Sequence, residues 1–293
     1  MMLTNLELRQ RAGKVIRPNM QVLLLIALIT ALPGLLINVV IARTGSDLTT
    51  YLFNHGIDTS ATLEELMELM TRFQLERGWV SPVLSLVNLL ITSALTLGFL
   101  NAVLTLLRGG TAVVGDVFSR MNSFIRAALL SLWIAVKMIL WALPGMALMI
   151  LALFVGVKVD FLGMLMALAG FGLLAALPIM AYFRYSLATV FQADDPELGV
   201  LNCVRKSKAV MKNRKMQLFS LTLTYNFGRM LAIMLGVQLL GYVLGNLVSM
   251  TVQLILSVYI NGAICAFYEA YARPGGGRAH AFQADPYHSE MQE

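Results

Sequence analysis

The chain has 293 residues, of which 58% are hydrophobic and 13% charged, with a mean hydropathy of +0.74. Soluble domains carry roughly a quarter charged residues, so an ordinary soluble fold is excluded. The remaining charge is lopsided, 22 Lys and Arg against 16 Asp and Glu for a net +6. The expected class is all-α: a polytopic membrane bundle of about six transmembrane helices with interfacial amphipathic helices.

In chain order, residues 1–18 form an N-terminal segment carrying Arg9, Arg11, Lys14 and Arg17. The apolar run from Gln21 to Ala42 is too long for a cleavable leader and lacks a small-residue cleavage site, so it reads as a retained first span. A membrane domain over 19–272 then holds six spans, expected at 19–42, 80–107, 128–157, 161–190, 216–244 and 247–272. Each reaches the roughly 20 apolar residues that cross a hydrocarbon core. Pro33, Pro144 and Pro178 fall inside spans, which membrane helices tolerate. Spans five and six are nearly continuous, with a turn expected at Gly241 to Asn246.

Three amphipathic pieces join the spans. The outer loop 44–79 contains a helix from Thr62 to Arg77, opened by Ser60 or by Thr62, which with Glu65 makes a capping box, and striped by Leu63, Leu66, Met67, Met70 and Phe73. That stripe is expected to cap the mouth of the bundle. An elbow helix over 111–126 places Val113, Val114, Val117, Phe118, Met121, Phe124 and Ile125 at helical spacing, opposite Asp116, Ser119, Arg120 and Ser123. The connector 194–215 is expected to open a short surface helix at Pro196, with Leu201, Val204 and Met211 on one face. After Ala272 the chain is glycine-rich and then polar, and 273–293 reads as a flexible tail.

The charges assign a side to each connector. Arg205, Lys206, Lys208, Lys212, Arg214 and Lys215 crowd one stretch, and Arg108, Arg120 and Arg126 mark the elbow. The stretch from Arg43 to Trp79 instead carries Asp47, Asp58, Glu64, Glu65, Glu68 and Glu76 against three arginines. Basic loops stay cytoplasmic, which places both termini and all even connectors inside. The six-cation stretch also offers a surface for anionic lipid headgroups, at about 1 kcal/mol per residue, or for a membrane-protein partner.

Ionisable residues inside spans are candidate sites. Lys137, Arg184, Arg229 and Glu269 all fall toward the inner boundary, where an Arg229–Glu269 pair would neutralise the deepest charge. Read as a binding cluster, they form an inward-facing vestibule for an anionic solute or headgroup; read as structure, they snorkel to the interface. Cys203 and Cys265 are too far apart in expected depth to bridge.

The order of local patterns resembles a bacterial integral-membrane family catalogued as domain of unknown function 975. The resemblance rests on Leu140-Trp141 with Pro144-Gly145, then Asp195-Pro196, then Ser207 followed by Met211-Lys212 and Leu218-Phe219. It covers roughly Leu8 to Tyr271. A tryptophan usual in that family's fifth span is replaced here by the stretch Tyr225 to Arg229. The resemblance implies six helices and a bacterial inner membrane, without an activity.

No enzyme is expected. His55, His280 and His288 lie in a loop and the tail, and no HExxH, paired intramembrane aspartates or phosphate loop occurs. No metal, cofactor or nucleic-acid motif is present either. The favoured reading is a binding, scaffold or accessory membrane protein acting through lipid or protein contacts. The alternative is a transporter or permease-like protein for an anionic solute or headgroup, against which stands the lack of acidic coupling residues.

Overall fold

The computed structural model describes residues 4–44, 51–52, 54–55, 63–156, 160–212 and 214–273, leaving aside the side chains at 42, 63, 160, 229, 232–233 and 235–247. Among these residues the secondary structure is helical throughout, with no strand. The helices are α1 Asn5–Ile16, α2 Met20–Thr44, α3 Leu63–Glu76, α4 Val80–Leu107, α5 Phe124–Gly156, α6 Asp160–Tyr185, α7 Ala188–Asp194, α8 Val200–Met211 and α9 Lys215–Tyr271. Five stretches among the described residues are long and apolar enough to cross a membrane. The expected tail beyond Arg273 and the Thr62 cap lie outside the described residues.

The N-terminal segment is a packed helix. Thr4 and Glu7 cap α1 reciprocally, each side chain bonded to the other's backbone N–H at 3.3 and 2.6 Å. Leu8, Ala12 and Ile16, four residues apart, bury one face against α9. There Gly262 makes room for Ile16: a Cβ at that position would push the Ile16 δ-methyl aside. A 3-10 turn at Arg17–Asn19, with Pro18 in it, leads into α2.

Helix α9 departs most from expectation. Helical backbone runs unbroken from Lys215 to Tyr271, 57 residues. A straight helix of that length would measure about 85 Å. Yet the Gln217 amide donates to the Tyr271 hydroxyl at 3.2 Å, and the Tyr225 and Tyr259 rings stack 6.4 Å apart. The helix therefore doubles back on itself. The midpoints of these two pairs fall at residues 244 and 242, inside the expected Gly241–Asn246 turn. The stretches expected as spans five and six are the antiparallel halves of α9, and the chain reverses within the expected Gly241–Asn246 turn.

Helices α5 and α6 form a second hairpin. Its end away from the elbow buries little beyond a seam of small residues, including Gly145, Ala152, Gly163 and Gly170, where the backbones at Gly156 and Gly163 nearly touch. Leu153, Phe154, Phe161, Leu168 and Phe171 point outward. In water such a surface would drive aggregation; in hydrocarbon it is the solvent-matched face.

Two connectors differ from their predicted form. The elbow is not one amphipathic helix but two 3-10 turns, Val114–Phe118 and Met121–Ser123, before α5 begins. Asp116 accepts from the Val113 N–H at 2.9 Å, and Ser119 donates to the Asp116 carbonyl at 2.6 Å. Such local bonds compete with helix formation. Only Val117 of the expected stripe is fully buried; Val113, Phe118, Met121 and Ile125 are exposed. The basic connector does form a helix, α8, but it starts at Val200, and Pro196 lies in the preceding turn. Its buried face is Cys203, Ser207, Val210 and Met211, with Leu201 exposed. On α3, Phe73 is buried against Tyr51, while Met67 and Met70 of the expected cap are exposed; the Leu63 side chain lies outside the described residues.

Candidate functional site

The densest polar constellation stands where α4, α7 and α9 end together. Helix α4 stops in a Schellman arrangement: Gly109 adopts φ 84°, and the Gly110 and Gly109 N–H groups return to the Thr105 and Leu106 carbonyls. This termination sets Arg108 at the helix end. Its Nη1 meets Asp194 Oδ1 at 2.6 Å, while Nε and Nη2 reach Glu269 Oε1 at 2.8 and 2.7 Å. Arg273, one turn beyond, holds Glu269 Oε2 at 3.0 Å. The Tyr268 hydroxyl donates to Asp194 Oδ2 at 2.8 Å, and its ring stands edge-on to Phe191 at 5.0 Å.

Each of the four carboxylate oxygens thus has a donor, and two arginines balance two acids. Burial alone would lower the Arg108 pKa, but the hydrogen bonds from Arg108 to Asp194 and Glu269 outweigh it and hold the pKa above its ordinary value. Charge-assisted contacts of this kind are the strong ones. The cluster is electrically neutral and saturated, so it offers no spare acid or base. It is a clasp for three helix ends.

The sequence-derived cluster is distributed differently. Glu269 sits in the clasp, 8% exposed, with Arg108 and Arg273 in place of the expected Arg229. The pairing within α9 sets the Arg229 backbone level with residues 255–259, about 15–20 Å along the helix from Glu269. The Arg229 side chain lies outside the described residues. Lys137 and Arg184 belong to the α5–α6 hairpin. The Lys137 ammonium lies 5.0 Å over the Trp133 ring and the Arg184 guanidinium 5.9 Å over Trp141.

The six-cation stretch also divides. Arg205, Lys208 and Lys212 are exposed on α8 and its C-terminal turn. Lys206 approaches the Phe191 ring at 6.0 Å, Arg214 lies 4.8 Å over Tyr271, and Lys215 is half-buried at the start of α9. Further bonds draw the even connectors together. Arg126 reaches the Pro196 carbonyl and Glu197, Ser207 donates to the Arg184 carbonyl at 3.0 Å, and Arg120 donates to Asn101 at 2.8 Å. The N-terminal helix, the elbow, α7, α8 and the last turn of α9 therefore share one end of the bundle.

Inside the bundle, two cavities of about 130 and 340 Å³ adjoin and share Thr96, Ser131 and Thr189. Gln192 lines the smaller, fully buried, and neither amide atom has a hydrogen-bond partner among the described residues. No described residue group of three His, Cys, Asp or Glu is arranged to hold a metal ion.

A family model described as protein of unknown function (DUF975) matches residues 1–273. The chain belongs to this family. Residues that carried the sequence resemblance to DUF975 occupy working contacts: Trp141 faces Arg184, Pro196 accepts from Arg126, Ser207 ties α8 to α6, and Leu218 is buried. No curated protein and no solved structure matches the chain. What the sequence reading missed was the Arg108–Asp194 pair. Its signal was available, since LRGG, QADD and FYEAYAR put opposite charges at the ends of spans two, four and six.

Proposed function

We propose that this is a non-enzymatic accessory protein of the bacterial cytoplasmic membrane, working through anionic lipid or a membrane-protein partner at its basic end. In this reading that end faces the cytoplasm, with both termini inside. One observation carries it: the charges within the helix ends cancel in the clasp, while Lys14, Arg17, Arg205 and Lys208 stay exposed outside it. Net positive charge is thus left on the surface.

The anionic-solute transporter reading draws less support. The cavities in the bundle are lined by hydroxyls, amides and apolar groups, and neither Lys137 nor Arg184 lines them.

The test is reconstitution into nanodiscs of phosphatidylcholine alone or with one quarter phosphatidylglycerol. The reading predicts a Tm several degrees higher with the anionic lipid, falling back as salt screens the surface. Equal Tm values in the two lipids would contradict it.

A further inference from the structure

A groove between α1–α2 and the two halves of α9 changes character along its length. At its basic end Arg9 donates to the Ser220 and Leu221 carbonyls, both at 3.1 Å, and to Thr224 Oγ1 at 2.8 Å. The same guanidinium lies 5.4 Å over the Tyr225 ring, which stacks on Tyr259 at an interplanar angle of 9°. These groups floor a cavity of about 750 Å³ whose rim carries Lys14 and Arg17. Both rim cations are exposed, and among the described residues neither has an ion-pair partner. No carboxylate lines the cavity.

A second cavity of about 480 Å³, with no lining residue in common with the first, is walled by Leu24, Leu25 and Leu28 of α2 and by Leu254 and Ile255 of α9, next in sequence to Leu256. From Arg17 to Leu28 is about 16 Å along the helix, close to half of a hydrocarbon core. Leu25 and Leu28 are exposed, so this part opens toward the lipid. The two cavities are lined by successive stretches of chain, with cations and tyrosines in the first and leucines in the second.

We propose that this composite groove binds one anionic phospholipid, its headgroup phosphate held by Lys14 and Arg17 and an acyl chain laid along Leu24, Leu25, Leu28 and Ile255. Charge complementarity selects the occupant. Arg9, Lys14 and Arg17 bring three positive charges with no acid beside them, so a headgroup with a second, cationic group gains less than one with net negative charge. Free phosphate would satisfy the rim but leave the leucine-walled half unused. The proposal rests on the lipid-binding reading above and assigns it a location.

The test uses the full chain in mild detergent, titrated with phosphatidylglycerol, phosphatidylcholine or inorganic phosphate and followed by native mass spectrometry and thermal unfolding. Wild type should bind phosphatidylglycerol at least tenfold tighter than phosphatidylcholine. Lys14→Glu/Arg17→Glu should abolish that preference, while Arg77→Glu, just past α3 and exposed, keeps it within about twofold. Leu25→Trp, which fills the apolar half, should weaken both lipids. If the rim double variant does not fold, Lys14→Gln/Arg17→Gln is read instead. Retention of the preference in the rim variant overturns the groove while leaving lipid binding intact. Stabilisation by phosphate equal to that by phosphatidylglycerol also overturns it. Loss of any preference in wild type removes both this site and the reading beneath it.

Discussion

Arg108 and Glu269 stand 161 positions apart in the chain, yet guanidinium Nη2 and carboxylate Oε1 meet at 2.7 Å. With Asp194 and Arg273 completing the cluster, the ends of α4, α7 and α9 are held at one level. The contact fixes which of these helix ends share one side of the bundle.

Removing one member of a buried ion pair leaves a charge without compensation, which costs about 3–5 kcal/mol. Arg108→Ala is expected near the lower end, because the arginine keeps 30% side-chain exposure. Glu269→Gln should also destabilise, and the Arg108→Ala/Glu269→Gln double variant should lose clearly less than the sum of the two. Tyr268→Phe, which removes only the bond to Asp194, should cost about 1.5–3 kcal/mol. A double-mutant cycle on thermal or denaturant unfolding measures the coupling, and strict additivity would show that the clasp does not act as a unit.

The folding back of α9 has a distance signature. Residues 225 and 259 would be about 50 Å apart along a straight helix, whereas their rings stack at 6.4 Å. Nitroxide labels on cysteines introduced at these two sites, in a background without Cys203 and Cys265, should report a pulsed-EPR distance below about 25 Å. A peak near 50 Å would mean an extended α9.

Much of this architecture is legible in the sequence. The spans are visible because about 20 apolar residues have few uses outside a bilayer, and the turn region at Gly241–Asn246 emerges from the same arithmetic. Helix α8 is visible as a helix, although its inward face is not: Leu201 has the right spacing but points out, because Cys203 and Ser207 fit against α6 and α7. The elbow misled, since apolar spacing cannot register the Asp116 and Ser119 bonds that tighten it into 3-10 turns. The Arg229–Glu269 match fails on depth: the two halves of α9 adjoin, but their register sets residue 229 level with 255–259 and not with 269. Helix α1 went unread because Leu8, Ala12 and Ile16 make a narrow stripe among basic residues, although Thr4–Glu7 already marks its start.

The two cysteines are expected to be silent in the folded protein. Both are fully buried, and burial pushes the Cys203 thiol up to about 11. The reactive thiolate is therefore scarce below that pH and grows only as pH rises toward it. At pH 7–8, maleimide should label the native protein negligibly and reach two thiols per chain after denaturation in SDS. Rapid labelling of Cys203 in the native state would contradict the packing of α8.

The most direct test is sidedness. Single cysteines at Lys208→Cys on α8 and Met67→Cys on α3, again without Cys203 and Cys265, can be exposed to a membrane-impermeant maleimide in intact cells and in inverted vesicles. The account predicts that Met67→Cys reacts in intact cells and Lys208→Cys only in inverted vesicles. Labelling of Lys208→Cys from the cell exterior would invert the protein and place its basic end, lipid groove included, on the wrong side of the membrane.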